Sequence, residues 1–270
     1  MIIPPLQGNF KQDSFFIYAA ADSNYFDQFG RALINSIAKN TQDTGVHLHL
    51  YNPTPEQINF CQNKPRVSVT WETFTSDDLK QAVDYWSRLD LPEPDASRRT
   101  KMLCMKQFAD SDDVARWIHK TYYACMRFVR LAEIIEHPQR FLAIDVDGLV
   151  RKSFAQKFNN DNDFDFYLYQ KMKRGEPSGH LAGSILYTEK SAALEFIKTM
   201  GQDIRNEIVK DNIYWFLDQH VLDKVNSKYR RGLLPIDYID WHMKPDSAIW
   251  TAKGKRKELE VFQNELRKYA

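Results

Sequence analysis

Phe15–Ala21 (FFIYAAA) is an unbroken apolar run of strand length. Unbroken rather than alternating apolarity predicts a strand buried on both faces of a parallel sheet. Polar residues Asp22–Tyr25 end the run, after which Phe26, Phe29, Leu33, Ile34 and Ile37 fall on one helical stripe reaching Asn40. Val46–Tyr51 (VHLHLY) alternates and predicts a second strand, Thr54-Pro-Glu-Gln opens a short helix, and Val67–Trp71 predicts a third strand. This order predicts an α/β fold around a mostly parallel sheet flanked by helices. Farther along, Tyr122–His137 reads as a helix closed by Pro138, and Phe141–Ile144, Phe164–Tyr169 and Ala182–Tyr187 read as strands. Ser191–Lys210 and Ile213–Val225 are expected helices, Leu233–Ile239 and Ser247–Trp250 short strands, and Lys255–Tyr269 a terminal amphipathic helix.

Residues 76–121 break this rhythm. They are polar, carry Pro92 and Pro94, and contain the basic cluster Arg98-Arg99-Thr100-Lys101. They read either as a solvated insertion or as a lid that binds an acceptor. No repeat, low-complexity tract or Gly/Ser-rich linker divides residues 1–270, which predicts a single domain with this excursion embedded.

Charge and cysteine content narrow the function classes. The 37 basic and 36 acidic residues leave a net charge of +1, so no global field draws the chain to nucleic acid or an anionic membrane. No apolar run approaches the roughly 18 residues of a membrane span. The opening MIIPPLQGNFKQD lacks the pattern of a secretory signal. Cys61, Cys104 and Cys125 form no CxxC pair, which argues against a disulfide scaffold or structural zinc. A reducing, cytoplasmic setting is expected.

The candidate chemistry centres on Asp145 and Asp147. The D-x-D spacing occurs at 110–112, 145–147, 161–163 and 163–165, but only the 145–147 pair directly follows an apolar strand. Residues i and i+2 of a strand share a face, so these carboxylates converge at a strand end, where open α/β sheets place ligands. Such a pair suits a hard divalent cation completed by substrate phosphates.

The ordered set of segments around this pair resembles the GT-A fold glycosyltransferases, most closely glycosyltransferase family 8, the glycogenin and galactosyltransferase-like group. The segments are AAADSNYFDQFGRALINSIAKN (19–40), YYACMRFVRLAEII (122–135), FLAIDVDGLVRKSF (141–154), HLAGSILY (180–187) and LDQHVLDKV (217–225). The resemblance implies a metal-dependent hexosyltransferase. It would take a nucleotide-diphosphate sugar, UDP-linked, as donor and a saccharide or other hydroxyl compound as acceptor, with retention. Manganese or magnesium would be held by Asp145 and Asp147. Asp22 would contact the base and Tyr25 stack on it, with Ala20 and Val146 close by; Tyr25 can equally be a packing aromatic at a helix start. Arg127 would span the diphosphate and the sugar, with Arg130 as its competitor. Asp218 and Gln219 would lie at the donor sugar. Lys253, Gly254 and Lys257 resemble the family's G-x-x-K element, where a basic helix start is the plainer reading.

Two positions depart from the family pattern. Leu181 stands where an asparagine is expected and Thr251 where a metal-binding histidine is expected, leaving His242 as the substitute ligand or as a packed core residue. Two other functions stay open. The strand and D-x-D also resemble haloacid-dehalogenase-like phosphatases, with Asp145 as nucleophile, although Leu149 replaces the expected hydroxyl residue and the downstream acidic motif is absent. A non-catalytic nucleotide-sugar-binding protein on the same scaffold is the third.

Overall fold

The apolar run forms β2 (Phe16–Asp22) at the centre of an eight-stranded sheet in the computed structural model, which describes residues 1–11, 13–88, 111–154, 163–173, 176–235 and 238–270. β3 (Gly45–Tyr51) and β4 (Val67–Glu72) lie on one side of β2, and β5 (Phe141–Ile144) lies on the other. These four strands are parallel, as the strand–helix rhythm predicts. β1 (Gln7–Asn9) closes one edge antiparallel to β4. Beyond β5 come antiparallel β8 (Glu176–Tyr187) and β7 (Phe166–Lys173), and then β9 (Arg231–Leu233) parallel to β7. The order is β1-β4-β3-β2-β5-β8-β7-β9. A small second sheet joins β10 (Ile239–Asp240), β11 (Ile249–Trp250) and β6 (Leu149–Val150).

Apolar layers cover both faces of the large sheet, which is why β2 is apolar throughout. Ile17, Ala19 and Ala21 face one layer and Phe16 and Tyr18 the other. The first layer is supplied by α2 (Arg31–Asn40), α3 (Pro55–Gln62) and the C-terminal helix α8 (Glu260–Arg267), while the short α1 (Ser23–Tyr25) buries no residue. Phe26–Gly30 between α1 and α2 is a π-helical segment. The second layer is supplied by α4 (Lys80–Arg88), α5 (Ser111–Ile134), α6 (Ser191–Val209) and α7 (Leu217–Val225). No helix among the described residues is long and apolar enough to cross a membrane.

Some expectations stand and several are corrected. Val46–Tyr51 forms the expected strand, and although its polar and apolar positions alternate, every residue of β3 is buried. His47 and His49 are tolerated inside because Ser68 and Thr70 on β4 meet them: His47 Nδ1 lies 2.8 Å from Ser68 Oγ, and His49 Nδ1 lies 3.1 Å from Thr70 Oγ1. The helix expected over 122–137 is α5, which begins at Ser111, so the last part of the polar 76–121 excursion is helix with its buried face at Val114 and Ile118. The helix expected over 213–225 starts only at Leu217, because Phe216 adopts a left-handed conformation, φ 70°. The terminal helix is split: Gly254–Glu258 is a 3-10 turn, extended backbone at Leu259 interrupts it, and α8 follows. Arg98–Lys101, Cys104 and the D-x-D pairs beginning at 110 and 161 fall wholly or partly outside the described residues.

Candidate active site

β5 ends at Ile144, and Asp145–Gly148 turn the chain back, with the Gly148 amide donating to the Asp145 carbonyl at 3.0 Å. The two carboxylates therefore meet through a turn rather than through the pleat of a strand. Asp145 is half exposed, while Asp147 is buried. Burial, and then the charge of Asp145, raise the Asp147 carboxyl to about 6, against the opposing pull of Lys257. Across the β5–β8 pairing, Gly183 makes space for Asp145: a Cβ at Gly183 would fall 2.7 Å from Asp145 Oδ2.

Arg127 reaches the same point from α5. Its Nη1 donates to Asp145 Oδ1 at 2.5 Å and its Nη2 to Asp218 Oδ2 at 3.4 Å, a planar fork between two carboxylates. The helix that carries it is held by buried hydroxyls. Tyr18 donates to the Arg127 carbonyl at 2.7 Å, and Tyr51 donates to the Tyr123 carbonyl at 2.9 Å. Arg130 is no competitor for the site. It is buried against Glu72 on β4, which also accepts from Tyr122 at 2.7 Å. Burial alone would raise the Glu72 carboxyl, but the His49 imidazole 3.7 Å away, the charge of Arg130 and the Tyr122 hydroxyl together hold it below its ordinary value.

Asp218 stands in the first turn of α7 and is partly buried; desolvation raises its carboxyl against the opposing charge of Arg127. Its Oδ1 accepts from the Gln219 amide at 2.8 Å. Gln219 ties α7 to the sheet, its side-chain oxygen accepting from the Ala182 amide at 3.1 Å. At the other side, the Asp22 carboxylate ends β2 and caps the Tyr25 amide at 2.8 Å. Lys257 Nζ lies 2.7 Å from Asp147 Oδ2, donates to the Tyr25 hydroxyl at 3.0 Å and sits 4.5 Å from the centre of its ring. Gly254 provides the left-handed residue, φ 59°, that turns the chain between Lys253, which is exposed, and Lys257, which is partly buried.

Ala20, Asp22, Tyr25, Arg127, Asp145, Val146, Asp147, Asp218, Gln219, Lys253, Gly254 and Lys257 all line one cavity of about 370 Å³. That volume lies in the range of small-molecule sites. The sequence reading nominated each of them; their roles are a separate matter. His242 is the exception. The Asp240 carboxylate accepts from the His242 amide at 2.7 Å and from the Lys244 amide at 2.5 Å, and Met243 has φ 59°. This turn buries Met243 and leaves His242 exposed, away from the cavity lining. The cavity also takes Trp117 and Lys120 from the 76–121 segment read as a possible acceptor-binding lid, and residues to which the sequence reading gave no role: Tyr123, Gly183, Trp215, Phe216 and Trp241. The aromatic ones are ordinary core-forming types, and only their convergence marks them.

The residues fit a divalent cation with two protein ligands. Burial first, and the charge of Asp145 second, raise Asp147, a cost that a cation between the two carboxylates would relieve. Among the described residues, no group of three or more His, Cys, Asp and Glu side chains gathers as a metal site. Phosphate oxygens would have to complete the shell. Behind the pair, Leu149 is buried and pairs with Trp250, so no hydroxyl stands where the phosphatase reading needs one.

No family model matches the chain, and no curated protein matches it. Solved structures do. The galactosyltransferase LgtC in complex with donor and acceptor sugar analogs is 14% identical, over 94% of this chain and 96% of that one, with a TM-score of 0.50. The bifunctional glycosyltransferase WbbM is 12% identical with a TM-score of 0.53, over 96% of this chain and 50% of that one. The glycosyltransferase GlyE of Streptococcus pneumoniae is 11% identical with a TM-score of 0.51, over 96% of this chain and 63% of that one. The mixed α/β sheet flanked by helices is thus the GT-A fold that these glycosyltransferases share.

Proposed function

We propose that the protein transfers a hexose from a nucleotide-diphosphate sugar, UDP-linked, to an acceptor hydroxyl, with retention of configuration. The observation that carries this reading is the convergence of the Asp145–Asp147 turn, the Arg127 fork and the Lys253–Lys257 segment on one cavity at the ends of β2 and β5. The GT-A fold and the donor and acceptor analogs bound to LgtC agree with it.

Asp22 and Tyr25 take the base side, with Ala20 and Val146 in the adjoining wall. Magnesium or manganese held by Asp145 and Asp147 would supply positive charge against the leaving diphosphate. Lys253 and Lys257 add charge from the opposite wall, and Lys257 can exchange Asp147 for a phosphate oxygen. Arg127 binds the diphosphate and keeps Asp145 and Asp218 in fixed relation. Asp218 faces the donor sugar and can accept from its hydroxyls, while Gln219 holds that turn of α7 against β8.

A thermal-shift panel of UDP, GDP, CDP and ADP, each with manganese or with chelator, tests the reading. A nucleotide at about 100 times its Kd stabilises the fold by roughly 2.7 kcal/mol. The expected result is a shift with UDP that chelator removes and that Asp147→Ala abolishes, followed by manganese-dependent hydrolysis of a UDP-hexose. A nucleotide shift without any donor turnover would favour the non-catalytic binding protein, and no shift with any nucleotide would reject the reading.

A further inference from the structure

The Asp22–Tyr25 turn has no apolar anchor of its own. No residue of α1 is buried, and the next buried side chain along the chain is Phe26. What holds the turn is Gln57 of α3, which is 1% exposed. Ser23 Oγ donates to Gln57 Oε1 at 3.0 Å, and Gln57 Nε2 donates to the Ser23 carbonyl at 2.9 Å. The same Oε1 accepts from the Thr54 amide at 3.0 Å. Thr54 Oγ1 in turn accepts from the Gln57 amide at 3.3 Å, which completes the reciprocal cap of α3.

The cap alone does not explain an amide at this position. It needs only an acceptor, and glutamate serves as well as glutamine. A backbone N–H can only donate, so the Thr54 amide fixes the side-chain oxygen toward itself and leaves Nε2 for Ser23. A carbonyl can only accept, so the Ser23 carbonyl needs that nitrogen. A carboxylate would set oxygen against oxygen where little water reaches, and an unmatched buried polar group is costly. Gln57 is itself a fixed point. Asn52, at φ 48°, accepts from the Phe74 amide at 2.8 Å and donates its own amide to the Glu72 carbonyl at 2.9 Å. These bonds tie the entry to α3 to the end of β4.

We propose that Gln57 is a positioning residue for nucleobase recognition. It holds the Ser23 backbone so that the Asp22 carboxylate and the Tyr25 ring stand preset at the cavity wall. This rests on the donor reading above, in which those two residues take the base. Gln57 does not line the cavity and acts only through Ser23. A preset turn spares the ligand the cost of ordering it. Phe29 and Lys257 also touch Tyr25, but they act on its ring and not on the backbone that aims it. The diphosphate is assigned to Arg127 and the Lys253–Lys257 segment, so the clamp bears on the base half of the donor.

Two variants and two ligands test this. Gln57→Glu keeps the acceptor for Thr54 and removes the donor to the Ser23 carbonyl. Ser23→Ala removes only the hydroxyl bond and buries no charge, so the comparison survives if Gln57→Glu does not fold. Calorimetric titration of UDP and of inorganic pyrophosphate, each in magnesium, reads the base half and the diphosphate half separately. Both variants should weaken UDP about fivefold or more, the scale of one lost hydrogen bond, with pyrophosphate within about twofold of wild type. Hydrogen exchange in the ligand-free protein should rise at residues 22–25 and stay at the wild-type level over Pro55–Gln62. Equal losses for UDP and pyrophosphate would make the clamp a general support of the fold and overturn the proposal. Wild-type UDP affinity in both variants, or unchanged exchange at 22–25, would overturn it too. A wild-type protein that binds pyrophosphate but no nucleotide would instead be the failure of the donor reading.

Discussion

Gly183 and Asp145 face one another across the β5–β8 pairing with no room for a side chain between them, since a Cβ on Gly183 would stand 2.7 Å from Asp145 Oδ2. Replacing Gly183 with Ala should push the half-exposed carboxylate out of line with Asp147. Misorienting a carboxylate at a cation site costs roughly 10- to 100-fold in affinity. Calorimetric titration of UDP in manganese should show that loss, with the unfolding midpoint close to wild type. Wild-type affinity would mean that Asp145 rotates aside without consequence.

Arg127 spans Asp145 and Asp218 with its two terminal nitrogens. Arg127→Lys keeps the charge but loses the fork, so it should not rescue Arg127→Ala. Both should lower donor turnover, by about 100-fold or more for Ala, the scale for removing one charge-stabilising donor. Initial rates of UDP-hexose hydrolysis check this, and a lysine variant with near-normal rates would reduce Arg127 to a simple point charge.

Glu72 and Arg130 are fully buried partners between β4 and α5. Glu72→Gln removes the buried charge beside a guanidinium that still pairs with Glu133 at 2.6 Å and donates to the Pro4 carbonyl at 2.6 Å, so the loss should fall at the lower end of the about 3–5 kcal/mol for breaking a buried pair. Urea unfolding should register a loss of that order. Tyr122→Phe removes only the hydroxyl that donates to Glu72 and should cost about 1 kcal/mol.

His47 is buried, and burial lowers its imidazole from 6.5 to about 3, so it folds as the neutral ring. In the unfolded chain it protonates near its ordinary value. Its share of stability is therefore complete above about pH 6.5 and is lost as pH falls toward 3, by up to about 1.4 kcal/mol per pH unit. Chemical denaturation at a series of pH values should show this slope, and His47→Asn should flatten it by up to one proton. An unchanged slope in that variant would assign the acid sensitivity to other groups.

What the sequence determined by itself was the local periodicity and the order of the segments. An apolar run such as Phe15–Ala21 has to be covered on both faces, and a D-x-D after an apolar strand places carboxylates at a sheet end; both properties are local and readable. The burial of the β3 histidines is not readable along the chain, because it depends on what the neighbouring strand offers, here Ser68 and Thr70. Arg127 and Arg130 are three residues apart on one helix and differ only in what packs against them, Asp145 and Asp218 for one and Glu72 for the other. His242 was a plausible ligand by residue type until the Asp240 turn directed it to solvent. The edge-to-face pairing of Trp117 with Trp215 joins residues almost a hundred positions apart through the packing of α5 against α7, and no periodicity along the chain carries that contact. Side-chain periodicity reports which face is covered. Which partner covers it is decided only when distant segments share one volume.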